Sequence, residues 1–309
     1  MRPRRVRASL AALAAVVLGA PAPARAAADV VAFGFQGGEV EQAVLDGLRA
    51  GLARRPLTLE TRVVPLAPEA ARAAVTRAVG EGARVLLTAG PRATEAAVAA
   101  AGSVPIVSTL VLGGSVAAPR GNLTGVSLDF PVDVQVSWLV RLLPDRKVVG
   151  LLYDPAQNQH RADAFVRALT ARGLTPVVRE VGTPAELPEA LRVITNRAEV
   201  LLALPDTVVL SRETSQALLL ASFENRVPFV GLSEGWVKAG ALYSLERDYR
   251  DVGLQAAEIL ARVLGGEAPS SIPIVAPRRV VYVLNRRTAE QMKIKLDPTL
   301  VAGAARVIE

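Results

Sequence analysis

The sequence contains no cysteine among its 309 residues. This absence excludes disulfide bonds, thiolate zinc sites and a thiol nucleophile. The chain also has a single histidine, His160, which leaves few ways to build a metal centre or a histidine-dependent catalytic group. The acidic residues lack the spacing of a calcium-binding loop. We therefore expect no catalytic residue, no metal and no cofactor.

The positive charge of the chain is concentrated at its start. The formal net charge is +7, but five of the 36 basic residues lie within residues 1–28, which contain no acidic residue. Without those five, 31 basic residues stand against 29 acidic ones. A near-neutral remainder gives no reason to predict a nucleic-acid partner.

Residues 1–28 are typical of a cleavable secretory signal peptide. Four arginines lie in residues 1–7, residues 10–18 form an unbroken apolar run, and Ala24-Arg25-Ala26 is a small-x-small cleavage site. The apolar run is too short to cross a bilayer, which needs about 20 residues. We therefore predict export through a cleaved signal peptide and location in the periplasm.

From residue 29 onward, short apolar runs alternate with Ala-rich amphipathic stretches. Most runs are rich in β-branched residues and continuous, which is typical of strands buried on both faces of a parallel sheet. The runs that predict strands span residues 30–35, 59–65, 85–89, 106–110, 148–153, 177–181, 200–204, 229–232 and 280–284. The stretches that predict helices span residues 39–54, 68–80, 93–101, 131–143, 162–172, 185–197, 212–225 and 251–264.

This strand–helix series occurs twice, over residues 29–110 and 147–233. A linker at residues 113–126, rich in Gly, Pro and small polar residues, separates the two series. Two lobes explain that linker better than one long sheet does. We therefore predict an α/β fold with two Rossmann-like open-sheet lobes joined by a hinge.

One motif suggests catalysis. Residues 231–235 read Gly-Leu-Ser-Glu-Gly and follow a predicted strand, as the G-x-S-x-G nucleophile elbow requires. That motif needs a histidine later in the chain, whereas His160 precedes Ser233. Nucleotide-binding glycine motifs are also missing. We interpret the match as coincidence and expect the protein not to be an enzyme.

Binding in a cleft between the lobes is the stronger hypothesis, because open α/β sheets bind ligands at the carboxyl ends of their strands. The first lobe offers hydroxyls and helix N-termini that suit a carboxylate. The second offers Asp206 and Glu234, which suit an ammonium group. The two lobes together would therefore suit a zwitterion such as an amino acid. The predicted ligand-binding residues are Phe35, Gln36, Thr88, Ala89, Gly90, Thr109, Tyr153, Asn158, Gln159, Asp206, Ser233 and Glu234.

Each of these assignments has a structural alternative. Thr88 and Gly90 could serve only the turn and the helix cap that follow their strand. Asp206 could cap a helix that begins near residue 208, and Tyr153 could pack in the core. Glu234 could pair with Lys238, because the two residues have the four-residue spacing of neighbours on a helix face.

An ordered set of short motifs carries a family resemblance. They are residues 122–127 (Asn-Leu-Thr-Gly-Val-Ser), 142–144 (Leu-Leu-Pro), 204–206 (Leu-Pro-Asp), 227–231 (Val-Pro-Phe-Val-Gly), 240–242 (Gly-Ala-Leu), Tyr249-x-x-x-Gly253-x-Gln255-Ala256-Ala257 and 264–269 (Leu-Gly-Gly-x-x-Pro). In this order and spacing the chain resembles the substrate-binding proteins of ABC importers, in the group that includes tryptophan- and phenylalanine-binding proteins.

The resemblance implies a type I periplasmic binding protein fold with three chain crossings between lobes. The lobes would comprise residues 29–126 with 244–272, and 127–243 with 273–309. It further implies that Asp206 holds an amino group and that Thr88 to Gly90 cradle a carboxylate. Two departures lie in the first lobe, where residues 42–44 replace a common His-Pro and residues 110–112 replace a common Asp-Pro.

These features predict a monomeric periplasmic solute-binding protein. It would bind a small molecule, an amino acid among the candidates, and deliver it to an inner-membrane ABC permease. Closure of the lobes around the ligand would signal occupancy. An alternative from another class is a periplasmic ligand-sensing protein that feeds a signalling receptor.

Overall fold

A computed structural model describes residues 28–112 and 121–309. Residues 1–27 of the predicted signal peptide and residues 113–120 of the predicted linker lie outside the described residues. Among the described residues, no helix combines the length and the apolar character that a membrane span requires.

The first sheet contains five parallel strands in the order β2-β1-β3-β4-β5. Its central strands are buried and mostly apolar, as the continuous runs predicted. Their bounds are β1 Val30–Phe33, β2 Leu59–Arg62, β3 Val85–Ala89, β4 Ile106–Val111 and β5 Leu123–Ser127. Helices α1 (Glu39–Leu52), α2 (Pro68–Gly80) and α3 (Pro91–Ala100) cover its two faces, with α1 on one face and α2 and α3 on the other.

The second sheet contains seven strands in the order β12-β11-β10-β9-β8-β6-β7. All its neighbouring strands are parallel except β10 and β11, which pair antiparallel. The bounds are β6 Val148–Tyr153, β7 Thr175–Glu180, β8 Val200–Leu202, β9 Phe229–Gly231, β10 Tyr243–Arg247, β11 Val280–Asn285 and β12 Arg306–Ile308.

Eight further helices complete the described chain: α4 Val132–Leu142, α5 Pro155–Ala171, α6 Leu187–Thr195, α7 Ser215–Glu224, α8 Glu234–Ala239, α9 Tyr249–Leu264, α10 Arg286–Gln291 and α11 Pro298–Ala302. Helices α4 and α5 share one core with the second sheet, whereas α6 and α7 share another on its opposite face. The prediction of an α/β fold with two open-sheet lobes is confirmed.

Helix α9 belongs to the first lobe although it follows the second sheet's strand β10 in the chain. Its apolar face packs in one core with α1 and strand β1. The two helices approach closely because glycines lie at the contact. A Cβ atom on Gly47 would lie 1.8 Å from the carbonyl oxygen of Arg250, and one on Gly253 would lie 2.0 Å from that of Val44. The chain therefore passes between lobes after β5, after β10 and before β11.

Three predicted boundaries need correction. The predicted linker overlaps β5 at residues 123–126, where Thr124 and Gly125 conceal a strand that pairs with β4. Residues 244–247, assigned from sequence to the first lobe, belong to β10 and pair within the second sheet. Helix α5 begins at Pro155 rather than at residue 162, because the Asp154 carboxylate caps the Ala156 N–H.

Candidate ligand-binding cleft

The first-lobe hydroxyls predicted to bind a ligand are buried inside that lobe. The Thr88 hydroxyl lies 2.8 Å from that of Thr94, and the Thr109 hydroxyl donates to the Thr88 carbonyl at 3.0 Å. The Gly90 N–H donates to the Thr109 carbonyl at 2.9 Å. These contacts join the ends of β3 and β4 and support the turn-and-cap alternative. A ligand role for Thr88, Ala89, Gly90 and Thr109 stays a prediction.

The loop after β1 is also tied to its own lobe. The Gln36 side-chain amide donates to the Val64 carbonyl at 3.0 Å, and Phe35 packs half-buried against the core beneath α1. Gly34 has a positive φ of 92° and packs so closely that a Cβ there would lie 2.2 Å from the Ala89 carbonyl oxygen. Ligand contacts by Phe35 and Gln36 stay predictions.

The Asp206 carboxylate is buried and saturated with hydrogen bonds. Its Oδ2 accepts the Asp154 N–H at 2.7 Å and the Asn158 amide at 2.9 Å. Its Oδ1 accepts the N–H groups of Val208 and Val209, each at 2.9 Å. An ionised carboxylate has about four lone-pair sites, and these donors occupy all of them. Asp206 therefore caps the turn after β8, where its structural alternative predicted the start of a helix, and ties that turn to α5. Its predicted ligand role, like that of Asn158, is untested.

The Tyr153 hydroxyl faces β7 and the first turns of α5. It donates to the Gln159 side-chain oxygen at 3.0 Å and lies 3.3 Å from the Glu180 carboxylate. Burial, reinforced by the Glu180 charge, raises the pKa of Tyr153 above its ordinary value. Both polar groups predicted here, Tyr153 and Gln159, are thus engaged with the protein, and their ligand contacts stay predictions.

Glu234 forms ion pairs on the surface of the second lobe. Its carboxylate lies 2.7 Å from the Lys238 ammonium and also binds the Arg306 guanidinium. The hydrogen bond from Lys238, helped by Arg306, holds the pKa of Glu234 below its usual range. The pair with Lys238 is the structural alternative considered above. Ser233 is exposed and lines a separate groove of about 700 Å³ between α7 and α8, beside Trp236. Ligand contacts by Ser233 and Glu234 also stay predictions.

A cavity of about 260 Å³ lies where the carboxyl ends of β8, β9 and β10 meet the segments that connect the lobes. The first lobe contributes Leu112, which follows β4. The lining residues are Leu112, Leu128, Asp129, Phe130, Gln135, Arg161, Leu202, Ala203, Pro205, Val230, Gly231, Leu232, Tyr243, Leu245 and Arg247. None of the twelve residues predicted from sequence lines it.

Two arginines give this cavity its charge. The Arg247 Nε donates to the Leu128 carbonyl at 2.8 Å, and its guanidinium carbon lies 4.7 Å from the centre of the Phe130 ring. The two terminal nitrogens of Arg247 donate no hydrogen bond to any described residue. Arg161, the other cation, lies 3.3 Å from Asp129. The wall therefore presents two positive charges and one negative charge.

Tyr243, which also lines this cavity, carries an unusual buried polar group. It is only 1% exposed, and its hydroxyl has no hydrogen-bond partner among the described residues. Burial raises the pKa of Tyr243 far above its ordinary value, so the hydroxyl remains a neutral donor. A buried polar group without a partner costs free energy and is rare in native proteins.

Arg247 could have been found from the sequence. It ends β10, and the rule that ligands meet the carboxyl ends of strands applies to that strand as to the others. The assignment of residues 244–272 to the first lobe removed β10 from the search for strand ends of the second lobe. Within residues 28–112 and 121–309, no three His, Asp or Glu side chains converge as metal ligands would.

Comparison with known proteins now decides the family. The model of the family described as ABC transporter substrate binding protein matches residues 59–308. The chain belongs to this family. The family resemblance inferred from the short motifs is thereby confirmed.

Relatives of this family member include a "Tyrosine-binding protein" of Clostridioides difficile (strain R20291), which is 24% identical over 210 residues. That alignment covers 65% of this chain and spans only 60% of the relative's length.

Solved structures agree on the fold of this substrate-binding protein. A conserved domain protein from Vibrio cholerae is 25% identical with a TM-score of 0.59. An ABC domain in complex with L-Trp from Streptococcus pneumonia is 19% identical, with a TM-score of 0.60. A ligand-free, open substrate binding protein with adhesive properties from Clostridium difficile is 17% identical, with a TM-score of 0.76. Each match covers 91% of this chain and 99% of the other. The predicted type I periplasmic binding protein fold is confirmed.

Proposed function

We propose that this protein binds a small solute in the cleft between its lobes and presents it to an ABC importer. Membership of the substrate-binding family supports binding as the activity. The observation that carries the proposal is the cavity at the junction of the lobes, bordered by Leu112 of the first lobe and Arg247 of the second. Ligands of open α/β sheets bind at this edge.

An amino acid is the ligand class that the relatives favour. One relative is named for tyrosine, and one solved structure is a complex with L-Trp. The apolar side chains of Phe130, Leu202 and Leu245 around the cavity suit an apolar side chain of such a ligand.

The proposal includes a permease partner, a monomeric state and a location outside the cytoplasm. A ligand that contacts both lobes binds the closed conformation more tightly than the open one, so it shifts the population toward closure. The closed, ligand-bound form then differs in shape from the empty form. A membrane permease can bind the two forms with different affinity because of that difference.

Thermal unfolding of the purified mature chain with amino acids, sugars and purines tests this function. A true ligand at a hundredfold excess over its Kd is expected to stabilise the folded state by about 2.7 kcal/mol. Calorimetric titration of each hit should then give one site per chain. A panel in which no small molecule raises Tm would overturn the proposal.

A further inference from the structure

We infer that the solute is anchored by a carboxylate on Arg247 of the second lobe, with an apolar body in the adjoining cavity. This inference rests on the proposed function, since it assigns the chemistry of the same cleft. It reverses the polarity predicted from sequence, in which the second lobe binds an ammonium group.

The guanidinium of Arg247 is held in an orientation that can bind an anion. The hydrogen bond from its Nε to the Leu128 carbonyl and its stacking on Phe130 fix the plane of the guanidinium. The terminal nitrogens are left without a protein acceptor among the described residues. A planar guanidinium matches a carboxylate through two parallel hydrogen bonds, a geometry that a lysine cannot provide. A solute carboxylate would therefore complete the coordination of Arg247.

Arg161 adds a second positive charge to the cavity. Both of its terminal nitrogens contact a single Asp129 oxygen, at 3.3 and 3.4 Å. Charge-assisted hydrogen bonds of this kind are usually 2.7–2.9 Å long. With two arginines and one aspartate in a partly buried wall, the local field favours an anionic guest.

The carboxylates that could hold an ammonium group are already occupied. Asp206 accepts four protein hydrogen bonds, and Glu234 is paired with Lys238 and Arg306. Among the described residues that line the cavity, Asp129 is the only acidic one, and it contacts Arg161. An ammonium group on the solute would have to displace one of these partners, whereas a carboxylate displaces nothing from Arg247.

The same strand indicates the shape of the rest of the solute. Tyr243, Leu245 and Arg247 alternate along β10, so their side chains share one face of the sheet. Their spacing sets the α-carbons of Tyr243 and Arg247 about 13 Å apart, with Leu245 between them. An aryl-sized body would lie over Leu245.

Three matched probes separate the two polarities. L-Tyrosine carries both charged groups, 3-(4-hydroxyphenyl)propionate lacks the ammonium, and tyramine lacks the carboxylate. Calorimetric titration of the wild-type chain is expected to give similar Kd values, within about tenfold, for the first two probes. Tyramine is expected to bind at least about a hundredfold more weakly, since it leaves Arg247 without a partner.

Variants assign the effect to Arg247. Arg247→Gln should weaken the binding of both carboxylate probes by roughly ten- to a hundredfold. Arg247→Lys should weaken it by about half as much on a logarithmic scale. The exposed Arg250→Gln on α9 is the matched control and should stay within about twofold of wild type. Thermal unfolding without ligand checks that each variant folds.

Two results would overturn the inference while leaving the proposed function intact. One is tyramine binding as tightly as L-tyrosine while the propionate fails. The other is unchanged carboxylate affinity in a folded Arg247→Gln variant. If none of the three probes binds, the solutes that bind in the wider panel test the inference instead. Binding confined to sugars or cationic solutes would overturn the inference. A panel without any hit overturns the proposed function, and the inference falls with it.

Discussion

Replacement of Tyr243 by Phe should stabilise the ligand-free protein. The Tyr243 hydroxyl is buried and has no partner among the described residues, so it has lost its water contacts without a replacement. Such a group costs about 1–3 kcal/mol. Because Phe removes only the oxygen atom, the packing of the ring is kept. We expect the free energy of unfolding to rise by about 1 kcal/mol.

Tyr282 in the neighbouring strand β11 provides the matched control. It is 5% exposed, and its hydroxyl donates to the Leu300 carbonyl at 2.6 Å. Tyr282→Phe leaves that carbonyl without its donor and should lower the free energy of unfolding by about 1 kcal/mol.

Urea denaturation followed by circular dichroism, with slopes compared between variants, measures both changes. Each should shift Tm by about 2–4 °C, in opposite directions. If Tyr243→Phe destabilises the free protein as much as Tyr282→Phe does, the hydroxyl is paired in solution. That result would contradict the description of Tyr243 as a buried residue with an unsatisfied hydroxyl.

Three further outcomes are expected. Gly47→Ala should destabilise the first lobe by about 1–3 kcal/mol in urea denaturation, because its Cβ would meet the α9 backbone at 1.8 Å; Gly80→Ala, with open space around its Cβ, should be neutral or slightly stabilising. Asp206→Ala should cost about 2–4 kcal/mol, since four donors lose their acceptor, whereas removal of the exposed helix cap Asp297 should cost less. Equal costs would contradict the role of Asp206 as the acceptor shared by those four donors. Two backbone N–H groups hold the pKa of Glu199 below its usual value, so its stabilisation is complete above about pH 4.3 and is lost as the pH falls through the lowered pKa. Glu199→Ala should therefore flatten the acid limb of the stability–pH profile, and an unchanged limb would contradict this assignment.

The elements of the fold that sequence predicts well are those with a purely apolar signal. Strands such as β3 and β6 are continuous apolar runs buried on both faces, and their bounds agree with the predicted residues. Strand β5 was missed because Thr124, Gly125 and Ser127 resemble a turn. These small polar residues are buried because β5 packs beside β4, where a Cβ at Gly125 would lie 2.1 Å from the Ser108 carbonyl oxygen.

The candidate site was harder to predict for a physical reason. A position at the end of a strand indicates the edge of the sheet, but it does not reveal which donors a side chain meets there. Asp206 lies at the expected edge, yet four neighbours use its lone pairs. Arg247 is functional in our proposal because Leu128 and Phe130 hold it from a segment more than a hundred residues earlier. Local sequence carries no record of such a contact.

The contact of α1 with α9 affects how the protein can be made. Helix α1 leaves the ribosome early, but its partner is completed only at Leu264. Until then, the face of the first lobe that α9 covers, including Val44 and Leu48, has no apolar partner from that helix. The lobe that begins first is therefore still incomplete when the second lobe's strands β6 to β10 have been synthesised. A nascent chain of this architecture exposes an unfinished apolar surface for most of its translation, which is the interval in which a chaperone would be needed.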